Sequence, residues 1–490
     1  MHDNPLVFRQ VSSPRALSSM VNRSISIHAH FYQPPREDPF TGMIPEEVGP
    51  YPYKNWNERI HAECYRPNAE LGNFEHISFN VGPTLLQWMN QTNPDTVRMI
   101  VSQDRANVQR YGVGNAMAQA YNHTILPLAS FQDKVTQISW GIADFEHHFG
   151  RKPQGLWLPE TAVDIETLTV LADQGIEFTI LAPWQAETDS LDPTEPYRVK
   201  LPEDRSIVVF FYHRDLSGGI SFNPALTSNA DAFIQQQVAP LFNPEKLQRD
   251  EPQMIIIATD GELYGHHQHF RDRFLKHLIN GASSSVGLSP SFPARLLREF
   301  PAPRVMDIRS RTSWSCHHGV IRWMGLCDCT PGDGRWKAYL RQAFVHLAEQ
   351  LDDLFQAVVW KAGIDPWALR NRYIHVVLGH MPARSLILES AGRSLDNDLV
   401  EAIRLLLESQ YERQRMFTSC GWYFEDFSRI EPKNNVAYAA RAVWLARKAT
   451  GVDLSSQVQA DLKHVISHRT GLRGDTVFQW HMQRSAKTMD

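Results

Sequence analysis

Cysteine is scarce in this chain of 490 residues, and charge of neither sign is in large excess. There are five cysteines, an odd number, so we expect no disulfide framework and predict a reducing, cytoplasmic location. The formal net charge of −5 gives no electrostatic reason to expect binding to nucleic acid or to an anionic membrane. No apolar run approaches the ~20 residues of a membrane-spanning helix.

The first 24 residues also lack the apolar core of a signal peptide. They are rich in Ser and Arg and contain one acidic residue, Asp3, a composition that faintly resembles a transit peptide. A flexible N-terminal tail over residues 1–23 fits the composition better, and this is our prediction.

The stretch Met254–Gln268, which reads MIIIATDGELYGHHQ, is the part of the chain that indicates chemistry most directly. It begins with an apolar run rich in β-branched residues, which is typical of a strand buried on both faces. Asp260 and Glu262 follow at once, and then the pair His266 and His267. Carboxylates and imidazoles just beyond a buried parallel strand are typical of an α/β active site. The alternative is a solvated acidic turn.

The same arrangement recurs along the first two thirds of the chain. The predicted strand Ser24–Phe31 ends in His28 and His30, which point to one face because they are two residues apart. A later strand ends in Glu160. Strands that alternate with helices predict a parallel sheet, and polar residues at the strand ends favour a (β/α) barrel with its active site at that end. From Arg335 onward the periodicity is helical, which predicts a helical domain.

Five motifs in chain order carry a resemblance to a known family: HAHFYQP at 28–34, YNHTILPL at 121–128, GLWLPE at 155–160, DGELYGH at 260–266 and SCGW at 419–422. They resemble the motifs of glycoside hydrolase family 57, the retaining α-glucan enzymes, in a poorly characterised branch. The resemblance implies an incomplete or distorted barrel of the seven-stranded type over residues 24–330. It also implies a helical domain over residues 331–490 that contributes to the active-site cleft. Glu160 would then be the nucleophile and Asp260 the acid/base.

The chain departs from that family at one place. Members commonly carry a glutamate shortly before the histidine of the second motif, whereas this chain has Asn115 ahead of His123. The binding role of this position, and with it the exact activity, therefore stays open.

Cleavage of a glycosidic bond needs a proton for the leaving oxygen and stabilisation of an oxocarbenium-like carbon. In a retaining enzyme two carboxyl groups about 5–5.5 Å apart supply both. As the acid, Asp260 needs a pKa raised by burial or by ionised Glu160. The candidate substrate-binding residues are His28, His30, Gln33, Asn115, His123, Trp157, Glu262, His266 and Trp422. The alternative to substrate binding is a structural role. Buried histidines often donate to backbone carbonyls, and Trp157 is equally suited to packing inside the barrel.

Three of the five cysteines lie close together with two histidines: Cys316, His317, His318, Cys327 and Cys329. Thiolates and imidazoles are zinc ligands, so a structural zinc is one interpretation. The other is a set of small buried side chains without a metal, because a Cys-x-Cys pair departs from the usual zinc spacing. Our prediction names no metal and no cofactor.

The leading hypothesis is a retaining glycosidase or transglycosylase acting on α-1,4-glucans through a covalent glycosyl-enzyme, either an amylase-type hydrolase or a 4-α-glucanotransferase. The predicted partner is an α-glucan or maltooligosaccharide substrate, with no nucleic acid and no membrane, and no oligomeric state is predicted. An α-glucan branching enzyme remains an alternative. So does a metal-dependent polysaccharide deacetylase with His28, His30 and Asp260 as ligands. A non-catalytic glycan-binding protein is a further one, which the departure at Asn115 leaves open.

Overall fold

Ten strands lie in the first two thirds of this computed structural model, which describes residues 22–488. They are β1 (Arg23–Phe31), β2 (Ser78–Val81), β3 (Ala116–Gln119), β4 (Leu156–Trp157), β5 (Phe178–Leu181), β6 (Tyr197–Lys200), β7 (Ser206–Phe211), β8 (Gln253–Asp260), β9 (Ser289–Pro290) and β10 (Arg304–Val305). The tail predicted over residues 1–23 lies outside the described residues as far as residue 21, and Arg23 already belongs to β1. Within the described range, every helix is too short or too polar to cross a membrane.

Seven of the strands run in parallel around a ring. β1 pairs with β2 and β8, β2 pairs with β3, and β3 pairs with β4. A parallel bridge between Gly155 and Phe178 continues the ring from β4 to β5, and β5 pairs in parallel with β7. The predicted seven-stranded (β/α) barrel is therefore confirmed.

The barrel is distorted between β7 and β8. The antiparallel strand β6 pairs with the edge of β7 that a regular barrel would pair with β8. Single hydrogen bonds bridge the gap: the His213 N–H donates to the Ile256 carbonyl over 2.7 Å, and the Met254 N–H donates to the Thr194 carbonyl over 2.8 Å. This opening confirms the expectation of an incomplete or distorted barrel.

Side-chain alternation along the strands separates an outer layer from the barrel interior. On β1, the outer layer holds Ile25, Ile27, Ala29 and Phe31, and the interior holds Ser24, Ser26, His28 and His30. On β8, Ile255 and Ile257 belong to the outer layer, whereas Met254, Ile256 and Ala258 belong to the inner one. Asp260 continues the inner series, so its side chain lies at the carboxyl-terminal mouth of the barrel beside that of His30, its partner in register.

Helices cover the outside of the barrel and then form the rest of the chain. Those that precede residue 300 are α1 (Trp56–Ile60), α2 (Arg66–Glu70), α3 (Pro83–Thr92), α4 (Pro94–Tyr111), α5 (Phe131–Phe149), α6 (Ile165–Asp173), α7 (Arg214–Phe222), α8 (Ala230–Phe233), α9 (Pro244–Gln248), α10 (Arg271–His277), α11 (Ser283–Ser285) and α12 (Pro293–Glu299). The later ones are α13 (Arg335–Val359), α14 (Pro366–Arg372), α15 (Ile374–Val377), α16 (Ala383–Ala391), α17 (Asn397–Arg415), α18 (Cys420–Tyr423), α19 (Ile430–Thr450), α20 (Ser455–Leu462) and α21 (Gly474–Thr488). These later helices share a core of their own, which confirms the predicted helical C-terminal region.

A buried ionic network joins the helical region to the barrel. Asp133, in the first turn of α5, lies 3.1 Å from the Arg370 guanidinium and 2.7 Å from that of Arg413. Arg413 also reaches Asp352 on α13 over 2.7 Å. Burial opposes the ionisation of Asp133, but Arg413 and then Arg370 outweigh it and hold the pKa of this carboxyl well below its usual range. The network fixes α13, α14 and α17 against α5, beside the mouth of the barrel.

Candidate active site

The interior face of β1 begins the site with two neutral histidines. The His28 Nδ1 lies 2.9 Å from the Ser78 hydroxyl oxygen and its Nε2 lies 3.3 Å from Asn80 Oδ1. The His30 Nδ1 lies 3.1 Å from the same Asn80 oxygen. Burial lowers the pKa of His28 to about 3 and that of His30 to about 4. Both imidazoles are therefore uncharged at neutral pH and are held in place by the adjacent strand.

His123 joins this pair from the loop after β3. Its Nε2 lies 3.1 Å from the Nε2 of His30, so one of the two nitrogens donates to the other. Its Nδ1 lies 2.6 Å from the hydroxyl of Ser419, which belongs to the helical region. The Tyr32 ring stacks on His123 with 3.9 Å between the centroids. His123 adopts a left-handed backbone with φ of 54°, a conformation that non-glycine residues adopt rarely and mostly at functional sites.

Glu160 lies in a strained turn directly after β4. Its φ is 57° and that of the following Thr161 is 47°, which is unusual for a β-branched residue. The Glu160 Oε2 accepts hydrogen bonds from Trp314 Nε1 over 2.9 Å and from the Ser315 hydroxyl over 2.6 Å. Burial raises the pKa of Glu160, while the donors Ser315 and Trp314 favour its ionised form. The turn thus presents a carboxylate with two donors fixed on one oxygen.

Asp260 ends β8 across the barrel mouth from this turn. Its side chain is exposed, and among the described residues no hydrogen bond to its carboxylate contributes to its pKa. The surrounding protein raises the pKa of Asp260 to about 7, and the charge of Glu160 adds to the effect. The direction of this shift is the one that the role of a proton donor requires.

Glu262 lies one turn beyond Asp260 and is buried. Its Oε1 accepts from the Tyr65 hydroxyl over 2.7 Å and from the Tyr32 backbone N–H over 3.1 Å. Burial raises the pKa of Glu262 to about 8, with the charge of Asp260 contributing, although the Tyr65 hydroxyl favours ionisation. Glu262 thereby holds the start of the loop after β1, including the Tyr32 ring that stacks on His123.

Three other predicted residues lie within or beside this cluster. Trp157 is fully buried, and its ring stacks on His28 with 4.4 Å between the centroids. The carbonyl of the Gln33 side chain accepts from Arg36 over 3.0 Å in the loop after β1. His266 lies 2.5 Å from the Glu63 carboxylate, on the segment between α1 and α2. Trp157 therefore packs inside the barrel, and the other two belong to loops at its mouth.

The structure does not bring Asn115 or Trp422 to this cluster. Asn115 precedes β3, at the amino-terminal end of the barrel, and its Nδ2 donates to the Phe74 and Ile77 carbonyls. Trp422 is buried in the helical core, where its Nε1 donates to the Lys337 carbonyl over 3.2 Å. Both side chains are engaged with the protein interior, away from the carboxylates.

Several site residues were missed by sequence reasoning. Trp314 and Ser315 lie in an irregular segment without a family-like motif, although they directly precede the cysteine cluster, which was the one available signal. Asn80 could have been suspected from its inward position on β2. Tyr423 of the helical region was missed as well; burial and then the charge of Glu160 raise the pKa of its hydroxyl to about 12, with Asp260 contributing.

The arrangement does not support the alternative of a metal held by His28, His30 and Asp260. Both ring nitrogens of His28 are occupied by Ser78 and Asn80. Over residues 22–488, the groups of three or more metal-ligating side chains that converge do not include these three.

Comparison with protein families gives two matches along the chain. A family described as glycosyl hydrolase family 57 matches residues 28–308, more than half of the chain. A domain of unknown function, DUF3536, matches residues 333–489. The first match covers the barrel and its carboxylates, and the second covers the helical region.

Two curated proteins are similar to the barrel part. The 4-alpha-glucanotransferase of Thermococcus litoralis is 25% identical over 215 residues, which cover 42% of this chain and 30% of that protein. The alpha-amylase of Pyrococcus horikoshii is 22% identical over 253 residues, which cover 50% of this chain and 37% of that protein. The chain thus spans about a third of the length of the curated relatives it matches.

The likeness to solved structures extends over nearly the whole chain, including the helical region. An exo-type maltose-forming amylase from Pyrococcus sp. ST04 has a TM-score of 0.74 at 16% identity, covering 90% of this chain and 82% of that one. A branching enzyme from Pyrococcus horikoshii has a TM-score of 0.58 at 15% identity, with 95% of each chain covered. At these sequence identities the likeness shows a shared fold alone.

Proposed function

The chain belongs to glycosyl hydrolase family 57, and we propose that within this family it is a retaining glycosidase or transglycosylase acting on α-1,4-glucans. The proposed substrate is an α-glucan or a maltooligosaccharide. Relatives named as 4-alpha-glucanotransferase and alpha-amylase support this substrate class.

The observation that carries the proposal is the unequal environment of the two carboxylates. Glu160 has two donors on one oxygen, which stabilise its negative charge. Asp260 has a pKa raised to about 7 by its surroundings and by the Glu160 charge. One carboxylate is therefore suited to be an ionised nucleophile and the other to be a proton donor, which is the division of roles that glycoside cleavage requires.

In the first step, a Glu160 oxygen attacks the anomeric carbon while the bond from that carbon to the glycosidic oxygen breaks. Asp260 gives its proton to the departing oxygen, which leaves as a sugar hydroxyl. Oxygen Oε2 of Glu160 is held by Trp314 and Ser315, so Oε1 is the oxygen free to attack. The product is a covalent glycosyl-enzyme.

In the second step, ionised Asp260 takes a proton from water or from an acceptor sugar hydroxyl. The oxygen so activated attacks the anomeric carbon and releases Glu160, with net retention of configuration. Water as acceptor gives hydrolysis, and a sugar hydroxyl gives transfer. His30 and His123 are neutral, and their ring nitrogens are bonded to Asn80, to Ser419 and to each other, so the two residues form an uncharged, fixed wall beside the carboxylates.

Residues 24–330 form the catalytic barrel in this proposal, and residues 331–490 the helical domain that completes the cleft. Support comes from Ser419 and Tyr423, which reach the site from the helical region. We also assign the enzyme to the cytoplasm, because the five cysteines are outside disulfides, as a reducing compartment favours.

Product analysis with maltooligosaccharides tests the function. A hydrolase yields shorter sugars and new reducing ends, whereas a transferase yields longer and shorter sugars at a constant number of reducing ends. Glu160→Gln should abolish either pattern, because an amide is not a nucleophile. The substitution keeps nearly the same side-chain volume, so the fold should be retained. Glu177→Gln, which removes an exposed carboxylate on the opposite side of the barrel, is the matched control and should keep full activity. Unchanged sugars with the parent enzyme, or turnover by Glu160→Gln near the parent rate, would contradict the proposal.

A further inference from the structure

The segment between the barrel and α13 brings together four side chains that the proposed reaction does not use. They are Cys316, His318, Cys327 and Cys329, whose sulfur and nitrogen atoms all lie within 4.8 Å of one another. The sulfurs of Cys316 and Cys327 are 3.5 Å apart. The Nδ1 of His318 lies 3.4 Å from the Cys327 sulfur and 3.5 Å from the Cys329 sulfur.

We propose that these four side chains bind one structural zinc ion. Tetrahedral Zn²⁺ with bonds of about 2.3 Å to sulfur and about 2.0–2.1 Å to nitrogen needs sulfurs roughly 3.7 Å apart and sulfur–nitrogen pairs roughly 3.5 Å apart. The three distances given above match that geometry. Three cysteines and one histidine complete a four-ligand set, which is the closed coordination of a structural site.

The backbone around the ligands supports this assignment. Gly319, with φ of 81°, turns the chain directly after His318, and a Cβ there would lie 2.3 Å from the Arg311 carbonyl oxygen. The turn therefore depends on glycine and sets two ligands on one side.

The spacing explains why sequence reasoning left the site open. Each half contributes ligands two residues apart, Cys316 with His318 and Cys327 with Cys329, instead of the more common longer Cys–Cys spacing. Both adjacent histidines are exposed, but only His318 brings a ring nitrogen to the sulfurs of Cys327 and Cys329, and His317 is not part of the converging group.

The ion would order the segment that supports Glu160. Ser315, whose hydroxyl donates to Glu160, directly precedes the ligand Cys316. Arg322, between the two ligand pairs, donates to the Cys329 carbonyl over 2.6 Å and lies over the Tyr423 ring at 4.5 Å. Zinc thus links the barrel mouth, the donors on Glu160 and the helical region. It binds no substrate, and the four protein ligands leave no open position for one.

Metal analysis of the purified full-length protein tests the proposal. We expect one zinc per chain without added metal, and we expect Cys316→Ser and Cys329→Ser to lose it. The matched control is His317→Ala, which alters the exposed neighbour and should keep the full zinc content. The parent protein grown with cobalt should have the absorption bands of tetrahedral cobalt with thiolate ligands, and this readout does not depend on whether any variant folds.

Other results would overturn the inference. These are less than a tenth of a zinc per chain in the folded parent protein, equal zinc in the parent and in Cys329→Ser, and a disulfide between Cys316 and Cys327. None of these measurements uses a glucan substrate. A protein that holds zinc but leaves maltooligosaccharides unchanged would therefore contradict the proposed function and keep the zinc site.

Discussion

At the scale of single residues, the proposed chemistry depends on hydrogen bonds that only one of two carboxylates receives. Ser315 and Trp314 donate to Glu160, while Asp260 has no donor among the described residues and a pKa of about 7. Because the two groups interact, their protons leave in steps that belong to the pair. We expect a bell-shaped pH profile of kcat/KM, with a basic limb that falls as the pH rises through about 7 and Asp260 loses its proton.

Ser315→Ala should move the acidic limb of that profile to higher pH. The hydroxyl favours ionised Glu160, so its loss raises the pKa of Glu160 further, and more enzyme is protonated and inactive at low pH. A hydrogen bond to a charged group contributes about 1.5–3 kcal/mol, so the rate below the limb should fall about tenfold or more. The basic limb should stay in place. A uniform loss at every pH, with no movement of the acidic limb, would mean that Ser315 only maintains the loop.

Asp260→Asn should discriminate between leaving groups. The variant cannot protonate a departing sugar oxygen, so its rate on maltooligosaccharides should fall by about 10²–10⁴-fold. An aryl α-glucoside with an acidic phenol needs little help, and glycosylation of Glu160 should persist. Azide needs no base and should release the intermediate as an α-glycosyl azide, identified by NMR. A β-azide would indicate a single inverting displacement and would exclude the two-step mechanism.

At the scale of elements, strands and helices with a clear local residue pattern could be predicted from the sequence. β1 alternates with a period of two and β8 is a continuous apolar run, and their inward-facing ends carry His28, His30 and Asp260 as predicted. α5 ends at Gly150, whose φ is 67°, as the glycine signal indicates. β6, β9 and β10 went unrecognised because strands of two to four residues depend on the partner strand more than on local propensity.

The candidate site could likewise be predicted only in part from the sequence. The carboxylates follow strands and could be found by position. The donors to Glu160 could not, because Trp314 and Ser315 are 154 and 155 positions away in an irregular segment. Asn115 illustrates the opposite error, since a family motif suggested a binding role for a side chain that hydrogen-bonds to backbone carbonyls at the other end of the barrel.

The strained turn at Glu160 gives a prediction at this scale. The buried Gln185 accepts from the Thr161 hydroxyl and donates to the Thr161 carbonyl, both over 2.9 Å, so it holds the left-handed turn closed. Gln185→Ala should relax the turn and lower kcat by about 10- to 100-fold with little change in KM, because nucleophile alignment is lost while binding groups remain. Steady-state kinetics on a maltooligosaccharide measure this. Gln248→Ala, an exposed glutamine on α9, is the control, and equal kinetics for both variants would exclude the positioning role.

At the scale of the whole molecule, the site exists only because two parts of the chain are fixed against each other. Ser419 orients His123, and the charges of both carboxylates contribute to the raised pKa of Tyr423, although Ser419 and Tyr423 belong to the helical region. The ionic network of Asp133, Arg370 and Arg413 is a buried polar link between α5 and this region, beside hydrogen bonds such as that of Gln137 with Gln414. Cooperation between the two parts should therefore depend on Asp133.

Asp133→Asn should destabilise the protein and uncouple the two parts. The change leaves the buried charges of Arg370 and Arg413 to share one carboxylate, that of Asp352. Loss of one partner from a buried ionic pair typically costs about 3–5 kcal/mol. The exposed pair of Glu401 with Arg404 is the control, since Glu401→Gln should cost about 0–1 kcal/mol. Chemical denaturation followed by circular dichroism and by tryptophan fluorescence measures both variants.

The stabilising contribution of the Asp133 carboxylate should depend on pH in a direction set by its lowered pKa. The pKa of Asp133 is lower in the folded protein than its unfolded value of about 3.9, so the folded state favours the ionised carboxyl. Its stabilising contribution is complete above that unfolded value and is lost as the pH falls below it toward the folded pKa. The difference in unfolding free energy between the parent and Asp133→Asn should therefore be constant near neutral pH and shrink below about pH 4. A difference that grew on acidification would mean that Asp133 is not ionised in the folded protein, and the network would then not be what joins the helical region to the barrel.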